Sequence, residues 1–269
     1  MTPRETSAFR KLVYAHYEKH GRHFLPWRKT HDPYKVLVSE IMLQQTQVRR
    51  VAEKYEEFIR VFPNVQSLAK ASLKKILRTW QGMGYNRRTR YLKEASVAIV
   101  KRHSGHVPRD ENALKKLPGV GPATAAGVIV FAYNKPALYL ETNVRSAVIH
   151  DFFPRKKEVH DRDVMRIVEK VMDRRHPRRW YEAFLDYGAA LKEKSNPSRR
   201  SAHYAKQPPF KGSERELRGK ILRLLAEKQK TKTELKRIVG DERLESVLER
   251  LEKENMIEHK NTQYRVFSN

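Results

Sequence analysis

The segment LKKLPGVGPATAAGVIVFAY, residues 114–133, restricts the fold more than any other part of this 269-residue sequence. A helix must end near Pro118, because proline disfavours helical geometry at the residue before it. Gly119 and Gly121 permit a tight turn, and Pro122 suits the first position of a new helix. The free N–H groups at such a turn can bind an anion. The segment therefore predicts two helices joined by a turn, either a phosphate-binding hairpin or a simple corner between packed helices.

Almost every segment up to residue 190 carries apolar residues at helical spacing, as in VRRVAEKYEEFIRVF at 48–62, and no alternating strand pattern competes. Helix starts are also marked in the sequence. Asp32 precedes a proline at the first helical position, and His160 precedes another apolar-periodic run. These patterns predict an all-α fold.

The C-terminal part of the chain is predicted to be a separate small domain. Residues 192–212 are basic and rich in proline and serine, which indicates an irregular connector. Over 213–269 we expect three amphipathic helices, the second capped by Thr233, and then a hairpin around 260–262, which together resemble a winged helix. The third helix contains six acidic residues against three basic ones in DERLESVLERLEKEN. An acidic helix is poorly suited to the major groove, so we expect a packing or accessory role rather than base reading.

The charge of the chain points to a polyanionic partner. The formal net charge is +26, and residues 213–269 hold 14 basic and 11 acidic residues, which leaves 43 basic and 20 acidic residues in the first 212. Neutralising phosphates with such a surface releases counterions and favours binding. We therefore expect the phosphate-binding surface in the N-terminal part. On charge alone, the alternative is a basic protein that catalyses no reaction.

Cysteine is absent from the sequence, which excludes disulfides, thiol catalysis and cysteine-held zinc or iron–sulfur sites. No apolar run approaches the roughly 20 residues of a membrane span. The first 21 residues predict a basic amphipathic helix and not a signal peptide. We therefore expect a cytoplasmic protein with no membrane partner, associated with the nucleoid if the source is a prokaryote.

Two carboxylates are candidates for catalysis. Glu40 lies between Leu37 and Ile41 on neighbouring rows of a predicted helix, where burial would raise its pKa and make it a general acid. The alternative is a solvent-facing glutamate on an amphipathic helix. Glu141, in LETNVRS at 140–146, lies where an apolar run meets polar chain. Spacing alone favours a surface or capping acid at that position.

Together these segments resemble the helix-hairpin-helix DNA glycosylases, and most closely the MutY-type adenine glycosylases, over about residues 8–205. The resemblance is carried by LPWR at 25–28, DPY at 32–34, SEIMLQQTQV at 39–48, WQGMGY at 80–85 and LPGVG at 117–121.

The resemblance implies a two-lobed glycosylase domain over 1–191. A six-helix lobe would span about 30–133, and a second lobe would combine 1–29 with 134–191. The connector 192–212 would replace the loop that usually holds an iron–sulfur cluster.

The resemblance also implies roles for individual residues in an enzyme that flips its target base out of the duplex. Glu40 would protonate the departing adenine. Glu141 matches an aspartate that stabilises the cationic sugar, and its longer side chain departs from the family pattern. Trp27 and Arg28 would line the base pocket. The implied DNA contacts are Gln44, Gln45 and Thr46 in the gap, Tyr85 as a wedge beside the opposite base, Gly119, Val120, Gly121 and Thr124 on the phosphate backbone, and Asn143, Arg145, Lys192, Arg199 and Arg200 elsewhere.

Three further features depart from the family. The four cluster positions hold Lys192, Arg199, Ala202 and Pro208, so we expect no iron–sulfur cluster and no other cofactor, save a possible monovalent cation at the Gly-Val-Gly turn. Ala123 occupies the position of the lysine nucleophile in lyase-active relatives, so no Schiff base can form there. The C-terminal domain that reads 8-oxoguanine in MutY-type enzymes is not recognisable.

The resemblance thus implies a monofunctional DNA glycosylase in base excision repair. It would act as a monomer on double-stranded DNA and remove a mispaired adenine opposite guanine or 8-oxoguanine. A mismatch glycosylase for thymine, uracil or another deaminated base is the alternative of the same class. A catalytically inactive DNA-binding protein is the alternative of a different class.

Overall fold

The computed structural model describes residues 1–268, and most of them are helical. This part of the chain contains helices α1 Pro3–His20, α2 Pro33–Leu43, α3 Val48–Val61, α4 Val65–Lys70, α5 Leu73–Thr79, α6 Arg87–Arg102, α7 Glu111–Lys115, α8 Pro122–Phe131, α9 Thr142–Phe152, α10 Asp161–Val171, α11 Pro177–Lys194, α12 Glu214–Glu227, α13 Lys232–Val239 and α14 Leu244–Lys253. Short 3-10 helices span Pro26–Lys29 and Pro197–Arg200, and the strands are β1 Lys230–Thr231, β2 Ile257–Lys260 and β3 Gln263–Val266. Among the described helices, none has the length and apolar character that crossing a bilayer requires. The predicted all-α class is confirmed.

The chain divides into two compact units. The first unit consists of residues 1–36, 109–115 and 120–206, and the second of 37–108, 116–119 and 207–269. The segment 213–269, which the sequence predicts as a separate domain, therefore shares a unit with helices α3–α6.

The first unit is built around α1, α9 and α11. Phe9 on α1 packs edge-to-face against Phe152 on α9, with ring centroids 4.8 Å apart, and against Phe184 on α11 at 5.6 Å. Gly188 allows α11 to approach α9 closely, because a Cβ at this position would lie 1.9 Å from the Asn143 carbonyl oxygen. This approach fixes the first turn of α9, where Glu141 begins the helix.

The helices of the second unit bury the apolar rows that the sequence predicts. On α3, Val51, Tyr55 and Phe58 are buried, and Phe58 packs edge-to-face on Trp80 with centroids 5.7 Å apart. On α6, Leu92 and other residues of the same helix face are also buried. The amphipathic pattern is therefore a reliable guide to this core.

The C-terminal domain contains the predicted three helices and hairpin. Strands β2 and β3 pair antiparallel, with Lys260 opposite Gln263, and Asn261 and Thr262 turn the chain at positive φ angles of 47° and 65°. Two details differ from the prediction. A short strand, β1, pairs with β3 to give the sheet order β1-β3-β2. The N-cap of α13 is Thr231, which forms a capping box with Glu234, and not Thr233.

Candidate functional site

Helix α2 carries Glu40 into a buried position of the second unit. The helix starts where Asp32 Oδ1 accepts hydrogen bonds from the N–H groups of Tyr34 and Lys35, at 2.8 and 3.1 Å. Glu40 is 8% exposed, and Leu37 and Ile41 beside it are 1% exposed. The prediction that Glu40 is buried is therefore confirmed, and the solvent-facing alternative is wrong.

The polar segment after α2 is held in a defined conformation. Gln44 Nε2 donates to the carbonyl oxygen of Gly119 at 3.2 Å, which connects this segment to the Gly-Val-Gly turn. Gln45 has a φ of 54°, an uncommon backbone state for a residue with a side chain. Thr46 Oγ1 accepts a hydrogen bond from Arg88 at 2.8 Å.

Arg88 is a structural centre of this region that the sequence interpretation missed. Its buried guanidinium donates to the carbonyl oxygens of Ile41, Met42 and Gln44 at 2.9, 2.7 and 2.7 Å. It thereby supplies donors at the C-terminus of α2, where carbonyl groups lack the regular helical partner. Burial lowers the pKa of Arg88 to about 10. A signal was present in the sequence, because Arg88 lies one helical turn before the buried Leu92 on the same row of α6.

Tyr85 follows two glycines in a loop of left-handed backbone. Gly82, Gly84 and Tyr85 have φ angles of 88°, 67° and 48°. Trp80 Nε1 donates to the Gly84 carbonyl at 3.0 Å, and Arg88 Nε donates to the Tyr85 carbonyl at 3.3 Å. The loop is therefore fixed from both sides, and it leaves the Tyr85 side chain partly exposed.

The predicted turn between α7 and α8 is present, and Gly119 is the glycine that it requires. Gly119 has a φ of 73°, and a Cβ there would lie 2.6 Å from Cβ of Tyr91. Gly121 is the N-cap of α8, with a φ of −83° and open space where a Cβ would lie, so the turn does not require a glycine at this position. Val120 and Thr124 are buried. The first N–H groups of α8, which follow Pro122, have no partner within the helix and suit an anion.

Glu141 in the first unit is the N-cap of α9. Its Oε1 accepts hydrogen bonds from the N–H groups of Asn143 and Val144 at 2.6 and 2.9 Å. Within residues 1–268, Oε2 accepts no hydrogen bond from the protein. Burial raises the pKa of Glu141 above its ordinary value, although the two N–H donors and the charges of Lys192 and Arg145 oppose the rise. One oxygen thus holds the helix start while the other is available for an electropositive partner.

The other predicted DNA contacts in the first unit fall into two groups. Arg145 forms a bidentate ion pair with Asp161, with both N–O distances at 2.7 Å. Arg200 donates to the carbonyl oxygens of Ile149 and Lys156 at 3.1 and 3.0 Å and also to Phe153. Lys192 and Arg199 are exposed, and Asn143 is partly exposed, so these three are accessible to a DNA backbone.

The residues at the four cluster positions do not fit an iron–sulfur cluster. Lys192 and Arg199 are cationic, and Ala202 and Pro208 have no donor atom in their side chains. Cluster iron requires thiolate ligands. The segment is held by the backbone instead, since Val159 donates to the Arg200 carbonyl at 2.8 Å and accepts from Ala202 at 2.9 Å.

The predicted base-pocket residues Trp27 and Arg28 lie on the first 3-10 helix. Trp27 is buried. Arg28 forms two hydrogen bonds with the Asp186 carboxylate at 2.7 and 2.8 Å, and Arg22 contributes two more through its backbone and side chain. Burial raises the pKa of Asp186, but Arg28 and Arg22 outweigh it and hold this pKa below its usual range. Asp186 is therefore committed to joining the N-terminal segment to α11.

Known proteins match most of the chain. The family model described as "HhH-GPD superfamily base excision DNA repair protein" matches residues 38–174. The adenine DNA glycosylase of Buchnera aphidicola subsp. Baizongia pistaciae is 32% identical over 193 residues, which cover 71% of this chain and 55% of that protein. The adenine DNA glycosylase of Mycolicibacterium smegmatis is 41% identical over 130 residues, 48% of this chain and 44% of that protein. The chain thus spans about half the length of these relatives.

Other relatives carry a different name, and solved structures agree with the fold. The thymine/uracil-DNA glycosylase of Pyrobaculum aerophilum is 35% identical over 170 residues, 62% of this chain and 74% of that protein. A thermostable thymine-DNA glycosylase superposes with a TM-score of 0.62 at 23% identity, covering 75% of this chain and 97% of that one. A non-covalent endonuclease III–DNA complex superposes with a TM-score of 0.57 at 18% identity, covering 78% of this chain and 91% of that one.

Proposed function

Because the chain belongs to the HhH-GPD superfamily of base excision DNA repair proteins, we propose that it is a DNA N-glycosylase. Its proposed substrate is an adenine mispaired with guanine or 8-oxoguanine in double-stranded DNA. The observation that carries the proposal is the burial of Glu40 in the last turn of α2. The polar segment that follows it is tied to the Gly119 carbonyl and to Arg88. This arrangement combines an acid with a preorganised set of polar groups.

Glu40 acts as the general acid in the proposed mechanism. It donates a proton to a ring nitrogen of the flipped adenine, and the electron pair of the glycosidic bond leaves with the base. Protonation makes the purine a better leaving group, which is the usual contribution of general acid catalysis. Water then adds to C1′ of the sugar and releases a proton.

Glu141 stabilises the positive charge that develops on the sugar. The oxygen that is not used in the helix cap can face the cation or form a transient bond with C1′. The cap also suggests how the extra methylene relative to the family's aspartate is accommodated, because the longer side chain still reaches both N–H groups.

The product of this reaction is an intact strand with an abasic site. Ala123 follows Pro122 at the start of α8 and has no amine to form a Schiff base. The proposed enzyme is therefore monofunctional, with DNA as its partner and no cofactor in the reaction. It acts as a monomer, and the exposed Lys192 and Arg199 contribute to holding the phosphate backbone.

Removal of thymine or uracil from a mispair is the second candidate function. It is favoured by the similarity to the thymine/uracil-DNA glycosylase of Pyrobaculum aerophilum, of which the chain covers 74%. Adenine as the substrate is supported by the greater number of similar relatives that are named adenine DNA glycosylase.

A panel of duplexes tests the proposal. Each duplex carries adenine, thymine or uracil opposite guanine or 8-oxoguanine, and base release is followed by alkali cleavage under single-turnover conditions. We expect release of adenine, with strand cleavage only after alkali. Release of thymine or uracil but not adenine would establish the second function, and binding without release of any base would indicate an inactive DNA-binding protein.

A further inference from the structure

The hydroxyl of Tyr85 contacts an arginine from the C-terminal domain. Arg215, the second residue of α12, donates from Nη1 to Tyr85 Oη at 3.1 Å. Its guanidinium carbon also lies 5.8 Å from the centroid of the Tyr85 ring, while that of Arg88 lies 5.5 Å away. Two guanidinium groups, from arginines that are far from each other in the sequence, thus contact the Tyr85 side chain.

Arg215 is itself held in place by the connector. Its Nη2 donates to the Pro208 carbonyl at 2.6 Å, and its guanidinium carbon lies 6.0 Å from the Phe210 ring centroid. The guanidinium therefore bridges the connector, α12 and the loop that carries Tyr85. An arginine with several fixed donors loses little additional freedom for each bond it makes.

The helix that carries Arg215 is firmly packed on the lobe that carries Tyr85. Leu73 and Leu77 of α5 belong to one buried cluster with Leu217 and Ile221 of α12 and the rest of the C-terminal core. Arg78 of α5 closes the far end of α12, because its Nε donates to the Ala226 carbonyl at 2.8 Å. The position of Arg215 is thus set by a continuous apolar core.

The same interface is reinforced by a carboxylate shared between two arginines. Glu254, which follows α14, pairs with Arg218 of α12 and with Arg87 at the start of α6. Arg87 is two residues from Tyr85. Helix α6, which begins two residues after Tyr85, and α12 are therefore tied to the same carboxylate.

From these contacts we infer that Arg215 is a positioning residue, through which the C-terminal domain sets the orientation of Tyr85 and thereby the choice of the base opposite the target. The inference rests on the proposed function, in which Tyr85 enters the duplex beside that base. Tyr85 has a left-handed backbone, which persists only where its surroundings hold it. Loss of the Arg215 contact would leave the ring in several orientations and reduce discrimination between opposite bases.

The experiment uses the full chain with the variants Arg215→Met, Arg215→Lys, Tyr85→Phe, Tyr85→Ser and the double variant Arg215→Met/Tyr85→Phe. Arg223→Met is the matched control, because Arg223 is exposed on the same helix. The first readout is the fluorescence of 2-aminopurine placed beside the opposite base, measured at saturating protein. The second is the ratio of single-turnover excision rates opposite 8-oxoguanine and opposite guanine.

We expect Arg215→Met to diminish the fluorescence change and to alter the excision ratio by about 2- to 10-fold, the range for one net hydrogen bond. Arg215→Lys should restore part of both, and Arg223→Met should match the wild type. In the Tyr85→Phe background, Arg215→Met should have little further effect, because the hydrogen bond between the two side chains is already absent. Tyr85→Ser should abolish the fluorescence change.

The inference is overturned if Arg215→Met and the wild type give the same fluorescence change and the same ratio, whatever the effect on thermal stability. It is also overturned if Tyr85→Ser leaves the fluorescence unchanged, since the ring would then not enter the duplex. A wild-type protein that excises no base contradicts the proposed function instead, and the fluorescence measurements still decide the role of Arg215.

Discussion

At the scale of single residues, Glu141 shows how one side chain can serve both structure and chemistry. As an N-cap it satisfies two N–H groups of α9 with one oxygen, and N-cap substitutions typically cost about 0.5–2 kcal/mol. Its sequence context predicts a capping acid, and that prediction is confirmed. The catalytic role comes only from the resemblance to a family and stays a prediction.

Glu141→Gln should reduce single-turnover excision by at least about a hundredfold, because a neutral amide cannot stabilise the sugar cation. DNA affinity should change little. Glu141→Asp restores the family's residue and should retain excision. Glu158→Gln, at an exposed position of the same unit, serves as the control. Normal excision by Glu141→Gln would make Glu141 a purely structural acid.

The pH dependence of excision gives a second test of Glu141. The carboxylate must be ionised to act, and burial raises its pKa above the ordinary 4.5. Excision should therefore decline on acidification at a pH above 4.5, as Glu141 takes up a proton and loses its charge. A pH–rate profile of the wild type under single-turnover conditions measures this limb. Full activity down to pH 4.5 would be inconsistent with a catalytic Glu141.

Two arginines mark the limit of what sequence reasoning can predict at this scale. The sequence indicates only that Arg88 contributes to the basic surplus and, through the family resemblance, that Arg200 is a DNA contact. Their actual partners are carbonyl oxygens at the ends of α2 and α9. Such partners follow from where helices end in space, and no residue type in the sequence marks a carbonyl that needs a donor.

At the scale of elements, the sequence predicts the helices well and the connecting segments poorly. Apolar spacing defines α3 and α6, and the hairpin of β2 and β3 follows from alternation and the polar turn at 260–262. The strand β1 has only two residues, too few to produce a pattern. The sequence predicts an irregular segment over 192–212, yet α11 extends to Lys194 and a 3-10 helix follows at Pro197–Arg200.

The 3-10 helix Pro197–Arg200 carries two neighbouring arginines for which the structure predicts opposite effects. Arg200→Met should lower the free energy of unfolding by about 1.5–3 kcal/mol, because it removes charged hydrogen bonds to several carbonyls, with little loss of DNA affinity at a permissive temperature. Arg199→Met, at an exposed position, should leave stability unchanged and make the salt dependence of binding shallower by about one phosphate contact. Thermal unfolding and DNA titrations check both, and the reverse pattern would contradict this assignment.

At the scale of the whole molecule, the charge and the family indicate the class of function. The C-terminal domain is the part in which the sequence departs from the MutY-type pattern. Charge alone predicts a polyanionic partner, and the motifs identify which chemistry to expect. The sequence predicts the winged-helix-like elements but not their attachment, because Leu73 and Leu77 on α5 look like ordinary core residues of their own lobe. Their burial against α12 makes the domain part of the second unit.

Binding to DNA should depend steeply on salt. The first 212 residues hold 43 basic and 20 acidic residues, and the accessible cations include Lys192 and Arg199. If three or more phosphates are neutralised, log affinity should fall with log salt concentration at a slope of roughly −3 or steeper. Titrations of one duplex across a range of salt concentrations measure the slope, and a flat dependence would count against DNA as the partner.

The role of Glu40 as general acid is tested by the single-turnover excision rate of Glu40→Gln on a duplex with adenine opposite 8-oxoguanine, measured beside its DNA affinity. Glutamine keeps the volume of the buried side chain and removes the proton donor. We expect excision to fall by at least about a hundredfold, the lower range for general acid catalysis, while binding stays near that of the wild type. Excision by Glu40→Gln at the wild-type rate would show that Glu40 is not the acid that releases the base.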